Sequence, residues 1–212
     1  MGKIWSRHRV LWNDKSFLIS VASGVLFVVI AVLVNHVASI YATEKAGNSV
    51  NDLFLSNLPV INVDIIVNEG VIIFTLFIIF LHFLEPKKLP FTLKTVAIFY
   101  ITRAIFMTLT HLGPFPDRAA LDPTDLLYTL NFGGDYFFSG HTGFPFLMAL
   151  IFWENKMIRE ACIIVSIVFG GAVILGHLHY SIDVFSAFFI SFGIFHVAQK
   201  FFAKDFKLFH SE

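Results

Sequence analysis

Six apolar runs constrain the fold of this chain more than any other feature of its sequence. A helix needs about 20 apolar residues to cross a hydrocarbon core of about 30 Å. Such a segment must be helical, because lipid offers no hydrogen-bond partners to the backbone. The sequence therefore predicts an all-α, polytopic membrane protein built as a six-transmembrane-helix bundle. The runs cover roughly residues 17–37, 65–84, 92–112, 136–153, 161–176 and 182–202.

The overall composition agrees with a membrane protein and limits the number of domains. Hydrophobic residues make up 57% of the 212 residues and charged residues only 14%, which excludes an ordinary soluble domain. We predict an N-terminal tail at 1–16, one membrane domain at 17–202 and a C-terminal tail at 203–212. The formal net charge of zero gives no indication of a nucleic-acid partner. The single cysteine, Cys162, excludes an internal disulfide and is expected to pack as a small apolar residue.

Lysine and arginine are distributed unequally between the loops, and this predicts the orientation in the membrane. The predicted outer side holds only Lys45 and Arg118. Because basic residues are enriched on the cytoplasmic side, both termini are expected there, with the loops at 38–64, 113–135 and 177–181 facing outward. The basic residues on the predicted cytoplasmic side are Lys3, Arg7, Arg9, Lys15, Lys87, Lys88, Lys94, Lys156, Arg159, Lys200, Lys204 and Lys207.

His179 and Asp183 stand four residues apart at the start of the sixth run, so they share one face of a helix. A carboxylate in this position accepts a hydrogen bond from one imidazole nitrogen and leaves the other nitrogen with a lone pair. Covalent catalysis uses this arrangement of a nucleophile and its orienting group. A purely structural histidine–aspartate hydrogen bond has the same spacing, and the spacing alone does not separate the two interpretations.

A polar triplet, Ser139-Gly140-His141, lies in the aromatic first part of the fourth run. Polar side chains in the hydrocarbon region cost free energy unless they bind a ligand or pair with one another. Gly140 allows the backbone to approach an anionic ligand closely, and a helix that begins here directs its positive end toward that ligand. A lone histidine is more often a satisfied core residue. The nearby pair of His179 and Asp183 favours a shared site.

Arg103 is the most costly residue of the third run, because it lies midway between Lys94 and Leu112. A charge near the bilayer centre costs about 2.5–3.5 kcal/mol on insertion scales, so it needs a partner or a wet cavity. One interpretation is an anchor for a phosphate that enters from the outer face. The other is an intramembrane ion pair, with Glu69 as a candidate partner, or a cap on helix carbonyls. The sequence leaves both open.

A zinc site is the competing interpretation of the histidines, with His177, His179 and His141 as ligands beside carboxylates. On a helix, residues two apart point in nearly opposite directions, which does not suit chelation by His177 and His179. In a loop this objection is weaker. We therefore favour a site without metal, and keep zinc as the alternative.

Two segments resemble the motifs of a known family. Residues 134–142, GDYFFSGHT, resemble the Gly-Asp-x3-Ser-Gly-His-Thr motif of sphingomyelin synthases and their relatives, a branch of the type 2 phosphatidic acid phosphatase superfamily. Residues 179–184, HYSIDV, resemble the second motif of that family, in which the third position is usually threonine. The stretch 103–116 resembles a weaker third motif. The order and spacing also agree, so the resemblance covers about residues 65–200.

The resemblance implies a two-step phosphotransfer and assigns roles to the site residues. His179 would attack the phosphorus of a phospholipid, and Asp183 would orient it. His141 would protonate the leaving lipid alkoxide and then act as base on the incoming hydroxyl. The implied partners are a phospholipid donor, a lipid hydroxyl or water as acceptor, and the bilayer; no metal or organic cofactor is implied. The remaining expected contacts with the substrate are Arg103, Ser139, Gly140, Asp135 and Tyr180.

The chain also departs from the wider superfamily. That superfamily usually carries a Lys-x6-Arg-Pro motif and a Ser-Arg pair before the nucleophile, and neither occurs here. The resemblance is therefore to the sphingomyelin-synthase-like branch. Phosphate binding then depends on Arg103, on backbone amides and on Tyr180.

Three functions are compatible with this sequence. The leading one is a lipid phosphotransferase that moves a phospho-head group from a phospholipid to a lipid hydroxyl through a phosphohistidine, at the non-cytoplasmic leaflet. In the second, water intercepts the same intermediate, which gives a lipid phosphate phosphatase or a phospholipase C-like hydrolase. The third is a transporter whose polar residues line a pathway. It is the least favoured, because the sequence shows neither internal repeats nor paired broken helices.

Overall fold

The computed structural model describes residues 2–119 and 137–209, and these residues form helices and no strands. The all-α prediction is confirmed for this part of the chain. The helices are α1 (Gly2–Trp12), α2 (Lys15–Glu44), α3 (Asp64–Val67), α4 (Glu69–Leu84), α5 (Leu89–Leu109), α6 (Gly140–Ile151), α7 (Lys156–Leu175), α8 (Ser181–Phe201) and α9 (Ala203–Phe209), with a 3₁₀ turn at Pro86–Lys88.

Within the described ranges, five helical segments are long and apolar enough to cross a membrane. The run predicted at 136–153 differs, because its helix α6 has only 12 residues. At 1.5 Å per residue α6 is about 18 Å long, which is too short to span the hydrocarbon core by itself. Six crossings and the cytoplasmic placement of the termini remain predictions. The five candidate spans are Lys15–Glu44, Asp64–Leu84, Pro86–Leu109, Lys156–Leu175 and Ser181–Phe201.

The outer surfaces of the long helices are covered by large apolar side chains. On α2, Leu33 is 60% exposed, and on α8, Phe189 is 80% exposed. A helix that is apolar on all sides belongs in a large core or in lipid. The exposed surface of this bundle is therefore suited to contact with acyl chains.

The short helix α6 occupies the centre of the bundle, packed on α7 and α8 and next to α5. Leu147, Met148 and Ala149 on it have no solvent exposure. Gly143 permits the close approach of its neighbours, because a Cβ atom there would lie 2.9 Å from both Phe99 Cε2 and Ser191 Oγ. The first turn of α6, which carries the predicted site residues, is thereby held against α5 and α8.

The loops that were predicted to face outward come together at one end of the bundle. The amide of Gly113 donates to the carbonyl of Asn48 over 3.2 Å, which joins the first of these loops to the second. His177 Nδ1 donates to the carbonyl of Asp117 over 2.6 Å, which joins the third loop to the second. The remainder of the second loop, 120–135, lies outside the described residues. The three loops thus share one face, as the orientation argument requires.

The opposite end of the bundle is fastened by a buried ion pair. Lys94 Nζ on α5 lies 2.6 Å from Asp205 Oδ2 on α9, and Ser20 Oγ on α2 donates to Asp205 Oδ1 over 2.5 Å. Lys88 Nζ also lies 3.5 Å from the centre of the Phe209 ring. The segment predicted as a C-terminal tail therefore contains a helix, α9, that is packed on the bundle.

We expect Asp205→Ala to destabilise the protein strongly, because it leaves the charge of Lys94 buried without its carboxylate. Breaking a buried ion pair by removing one partner typically costs about 3–5 kcal/mol. Glu160→Ala is the matched control, since Glu160 pairs with Lys156 at 3.8 Å on the exposed surface of α7 and such pairs contribute about 0–1 kcal/mol. Thermal unfolding in detergent measures both. Equal melting temperatures for the two variants would contradict a stabilising role for the buried pair.

Candidate active site

The two polar motifs meet where α6 and α8 begin. The amide of Ser139 donates to the backbone carbonyl of Asp183 over 3.0 Å, which joins the first motif directly to the second. Both residues are fully buried. Segments that are distant in the sequence are therefore fixed side by side, at the end of the bundle where the three loops gather.

His179 and Asp183 face each other, as their spacing predicted. His179 Nδ1 lies 3.4 Å from Asp183 Oδ2, and both side chains are buried. The same Oδ2 accepts a hydrogen bond from the amide of Tyr180 over 2.9 Å, so Asp183 also caps the start of α8. The distance to the imidazole is long for a hydrogen bond, as is common for catalytic pairs without substrate. Nδ1 is thus the ring nitrogen directed at the carboxylate, and attack by Nε2 remains a prediction.

His141 contributes a second imidazole to the same place. The centres of the His141 and His179 rings are 6.2 Å apart. His141 Nε2 lies 3.2 Å from the carbonyl oxygen of Val67 at the end of α3. Because a carbonyl oxygen only accepts hydrogen bonds, Nε2 carries the proton in this arrangement. The site thus contains two histidines and one carboxylate, contributed by α6 and by the start of α8.

Arg103 reaches the same place from α5. Its Nε donates to the carbonyl of Phe138 over 2.8 Å, directly before the Ser139-Gly140-His141 triplet. A Cβ atom on Gly140 would lie 3.5 Å from the guanidinium carbon, so the cation lies against this glycine. The guanidinium also interacts electrostatically with Asp183. Arg103 therefore bonds a carbonyl that lies before α6, not within a helix, and both interpretations of this cation remain predictions.

Ser139 shapes the start of α6. It is the residue that caps this helix, and its Oγ accepts hydrogen bonds from the amide and the hydroxyl of Thr142 at 3.4 and 3.3 Å. The helix then begins at Gly140, where the sequence predicted a helix start aimed at an anion. A role for Ser139 and Gly140 in binding substrate remains a prediction.

The Tyr180 side chain contacts the first and second outer loops. Its hydroxyl donates to the carbonyl of Gly113 over 2.8 Å and accepts from the amide of Val50 over 3.3 Å. Burial raises the pKa of Tyr180, so the phenol stays neutral. The predicted contact of Tyr180 with phosphate remains untested, and Asp135 lies outside the described residues.

His177 lies apart from the two other histidines. Its backbone φ is 53°, and its Nδ1 donates to the carbonyl of Asp117 over 2.6 Å. Among the described residues, no three side chains of histidine, cysteine, aspartate or glutamate form a group that could hold a metal ion. The alternative zinc site therefore gains no support from the described geometry.

Sequence reasoning missed Asp52, which lies in the first outer loop. Its Oδ2 accepts hydrogen bonds from both the amide and the hydroxyl of Ser181, each at 2.8 Å. The two residues are 129 positions apart. No local spacing relates them, so only the folded chain reveals the contact.

A comparison with protein-family models found a match in this region of the chain. Residues 133–200 match the model described as PAP2 superfamily C-terminal. The matched segment contains both histidine motifs and the helices α6, α7 and α8. No curated protein and no solved structure matches the chain. The PAP2 match indicates a lipid phosphatase or phosphotransferase kind of function, and it leaves the branch of the superfamily open.

We expect Asp183→Ala to lower the thermal stability of the protein, because the amide of Tyr180 loses its acceptor at the start of α8. Loss of such a helix cap costs about 0.5–2 kcal/mol. Asp183→Asn keeps an acceptor oxygen in the same position and should retain most of the stability. Thermal unfolding in detergent compares the two variants. An alanine variant as stable as the wild type would show that the cap does not contribute.

Proposed function

We propose that this protein is an integral-membrane lipid phosphotransferase that works through a phosphohistidine at His179. The observation that carries the proposal is the meeting of His179, Asp183 and His141 at the joined starts of α6 and α8. The carboxylate is 3.4 Å from one imidazole, and the second imidazole ring is 6.2 Å from the first. This is the set of groups that nucleophilic catalysis with a general acid requires.

In the first step, His179 Nε2 attacks the phosphorus of a phospholipid. The new N–P bond forms while the bond between phosphorus and the diacylglycerol oxygen breaks. His141 enters this step protonated on both ring nitrogens and gives the Nδ1 proton to that oxygen, so diacylglycerol leaves as a neutral alcohol. Its Nε2 keeps the proton that faces the Val67 carbonyl. Asp183 stabilises the positive charge that develops on the imidazole of His179. The product of this step is a head-group phosphohistidine.

In the second step, a hydroxyl group of the acceptor attacks the same phosphorus. His141, now without its Nδ1 proton, removes the proton of that hydroxyl. The N–P bond breaks and its electron pair returns to His179, which restores the starting enzyme. Bond formation, bond breaking and proton transfer are therefore assigned to the two histidines, the carboxylate and the two lipids.

The phosphate charge is balanced by Arg103 and by the start of α6. Arg103 has five N–H donors, and the Phe138 carbonyl uses the one on Nε. The backbone amides of the first turn of α6 present the positive end of that helix. Asp135, Ser139, Gly140 and Tyr180 complete the proposed set of substrate-binding residues.

The burial of the pair favours a lipid hydroxyl over water as the acceptor. His179 is 6% exposed and Asp183 is not exposed at all. A phosphohistidine formed at this depth is shielded from bulk water, which favours transfer over hydrolysis. We therefore propose a sphingomyelin-synthase-like transferase that acts at the non-cytoplasmic leaflet, with ceramide or diacylglycerol as the type of acceptor.

Lipid product analysis tests the proposal directly. Purified protein in liposomes receives phosphatidylcholine and phosphatidylethanolamine, with and without added ceramide or diacylglycerol. A new phospholipid built on the added acceptor supports the transferase. Free phosphate or a water-soluble phospho-head group, formed without an acceptor, would instead identify a hydrolase.

We expect His179→Ala to abolish turnover and to leave the protein folded, because this side chain supplies the bond to phosphorus. The matched control is His196→Ala, since His196 lies on α8, is exposed and hydrogen-bonds to the nearby carbonyl of Phe192. Product formation and an acid-labile phosphoenzyme are measured in both variants. Turnover by the His179 variant would contradict the phosphohistidine mechanism.

A chelator is expected to leave turnover unchanged, because each step is assigned to protein side chains. The measurement compares initial rates before and after dialysis against EDTA, with the chelator removed before the assay. Loss of activity that returns with added zinc would contradict the metal-free mechanism.

A further inference from the structure

A short segment of the first outer loop crosses the catalytic end of the bundle. We call residues 47–52 the outer strap. On one side, the amide of Gly113 donates to the carbonyl of Asn48 over 3.2 Å. On the other, the amide of Val50 donates to the hydroxyl of Tyr180 over 3.3 Å. The outer strap thus connects the loop after α5 with the residue that follows His179.

Asp52 forms the last and most extensive contact of the outer strap. Its Oδ2 accepts from the amide and the hydroxyl of Ser181, each at 2.8 Å. Its Oδ1 accepts from the amides of Phe54 and Leu55 at 2.9 and 3.2 Å. Burial disfavours the charged form of Asp52, but these hydrogen bonds outweigh it and lower the pKa of the carboxyl. A charged, fourfold hydrogen-bonded and buried carboxylate therefore holds the first residue of α8.

The position of Ser181 explains why this contact matters for chemistry. His179 lies two residues before it and Asp183 two residues after it. The first amides of a helix have no partners within the helix and must find them elsewhere. Asp183 accepts a hydrogen bond from the amide of Tyr180, and Asp52 accepts one from the amide of Ser181. The backbone that carries His179 is therefore fixed from inside the helix and from the outer strap.

We propose that Asp52 is a positioning residue that directs His179 toward the phosphorus by holding Ser181. The inference rests on the proposed function, and it assigns a role in that reaction to the first outer loop. A small displacement of a nucleophile is sufficient to matter, since about 1 Å can lower a rate about 100-fold.

The test compares Asp52→Ala with Asp14→Ala in the liposome assay. Asp14 caps α2 in the same way, by accepting from the amide of Ser16 over 2.8 Å, and it lies far from the site in the N-terminal part of the chain. We expect Asp52→Ala to lower kcat about 100-fold with little change in KM. The orientation of His179 toward the phosphorus is lost, whereas the contacts that bind the lipid are retained. Asp14→Ala should keep the wild-type kcat.

Two further variants separate positioning from general stability. Asp52→Asn keeps an acceptor oxygen but loses the charge, so its kcat should lie between those of the wild type and Asp52→Ala. Ser181→Ala removes the hydroxyl partner, and its effect should be strongly non-additive with Asp52→Ala, because both act on one contact. Full additivity, or an Asp52→Ala kcat no lower than that of Asp14→Ala, would overturn the proposal.

Hydrogen exchange provides a readout that does not depend on turnover. In Asp52→Ala, the amides of residues 179–184 should exchange faster than in Asp14→Ala, because the start of α8 is released. Unchanged exchange in this segment would overturn the proposal. A wild-type protein with no lipid product, but with faster exchange in Asp52→Ala, would refute the proposed function while retaining the structural role of Asp52.

Discussion

The structure of the site depends on one backbone hydrogen bond, from the amide of Ser139 to the carbonyl of Asp183. It holds the start of α6 against the start of α8, and every proposed catalytic group belongs to one of these two helix starts. Helix starts carry unpaired amides and the positive end of the helix dipole. Two of them side by side create an environment that accepts a phosphate and a carboxylate. The chemistry of the site follows from this junction.

Several polar groups at the junction are paired at membrane depth, whereas Asp183 Oδ1 has no hydrogen-bond partner among the described residues. Asp183 accepts from an amide and faces an imidazole, and the guanidinium of Arg103 donates to a carbonyl and interacts with Asp183. Buried charges are tolerated when they are paired and hydrogen-bonded. The same contacts fix the side chains in place before substrate arrives, so stability and preorganisation arise from the same residues.

Sequence patterns predicted the features that depend on local spacing. The i, i+4 separation of His179 and Asp183 predicted that the two side chains share a face. The all-α class followed from the apolar runs. The shortness of α6 and the packed helix α9 did not follow from them, because hydropathy does not show where a helix begins or how a polar segment docks. The role of Asp52 was missed because its partner, Ser181, is 129 residues away. The contact of Arg103 with the carbonyl of Phe138 was missed because any residue has a backbone carbonyl, so the sequence does not mark which one accepts.

The contacts of Arg103 also have a consequence for biogenesis. During synthesis α5 is made before two of the residues that interact with its arginine, since Phe138 comes 35 residues later and Asp183 later still. Until then the cation must remain near the lipid–water boundary or within the translocation machinery, because a charge in lipid is costly. We therefore expect α5 to reach its final depth together with α6 and α8, so that assembly of this end of the bundle and membrane integration are coupled.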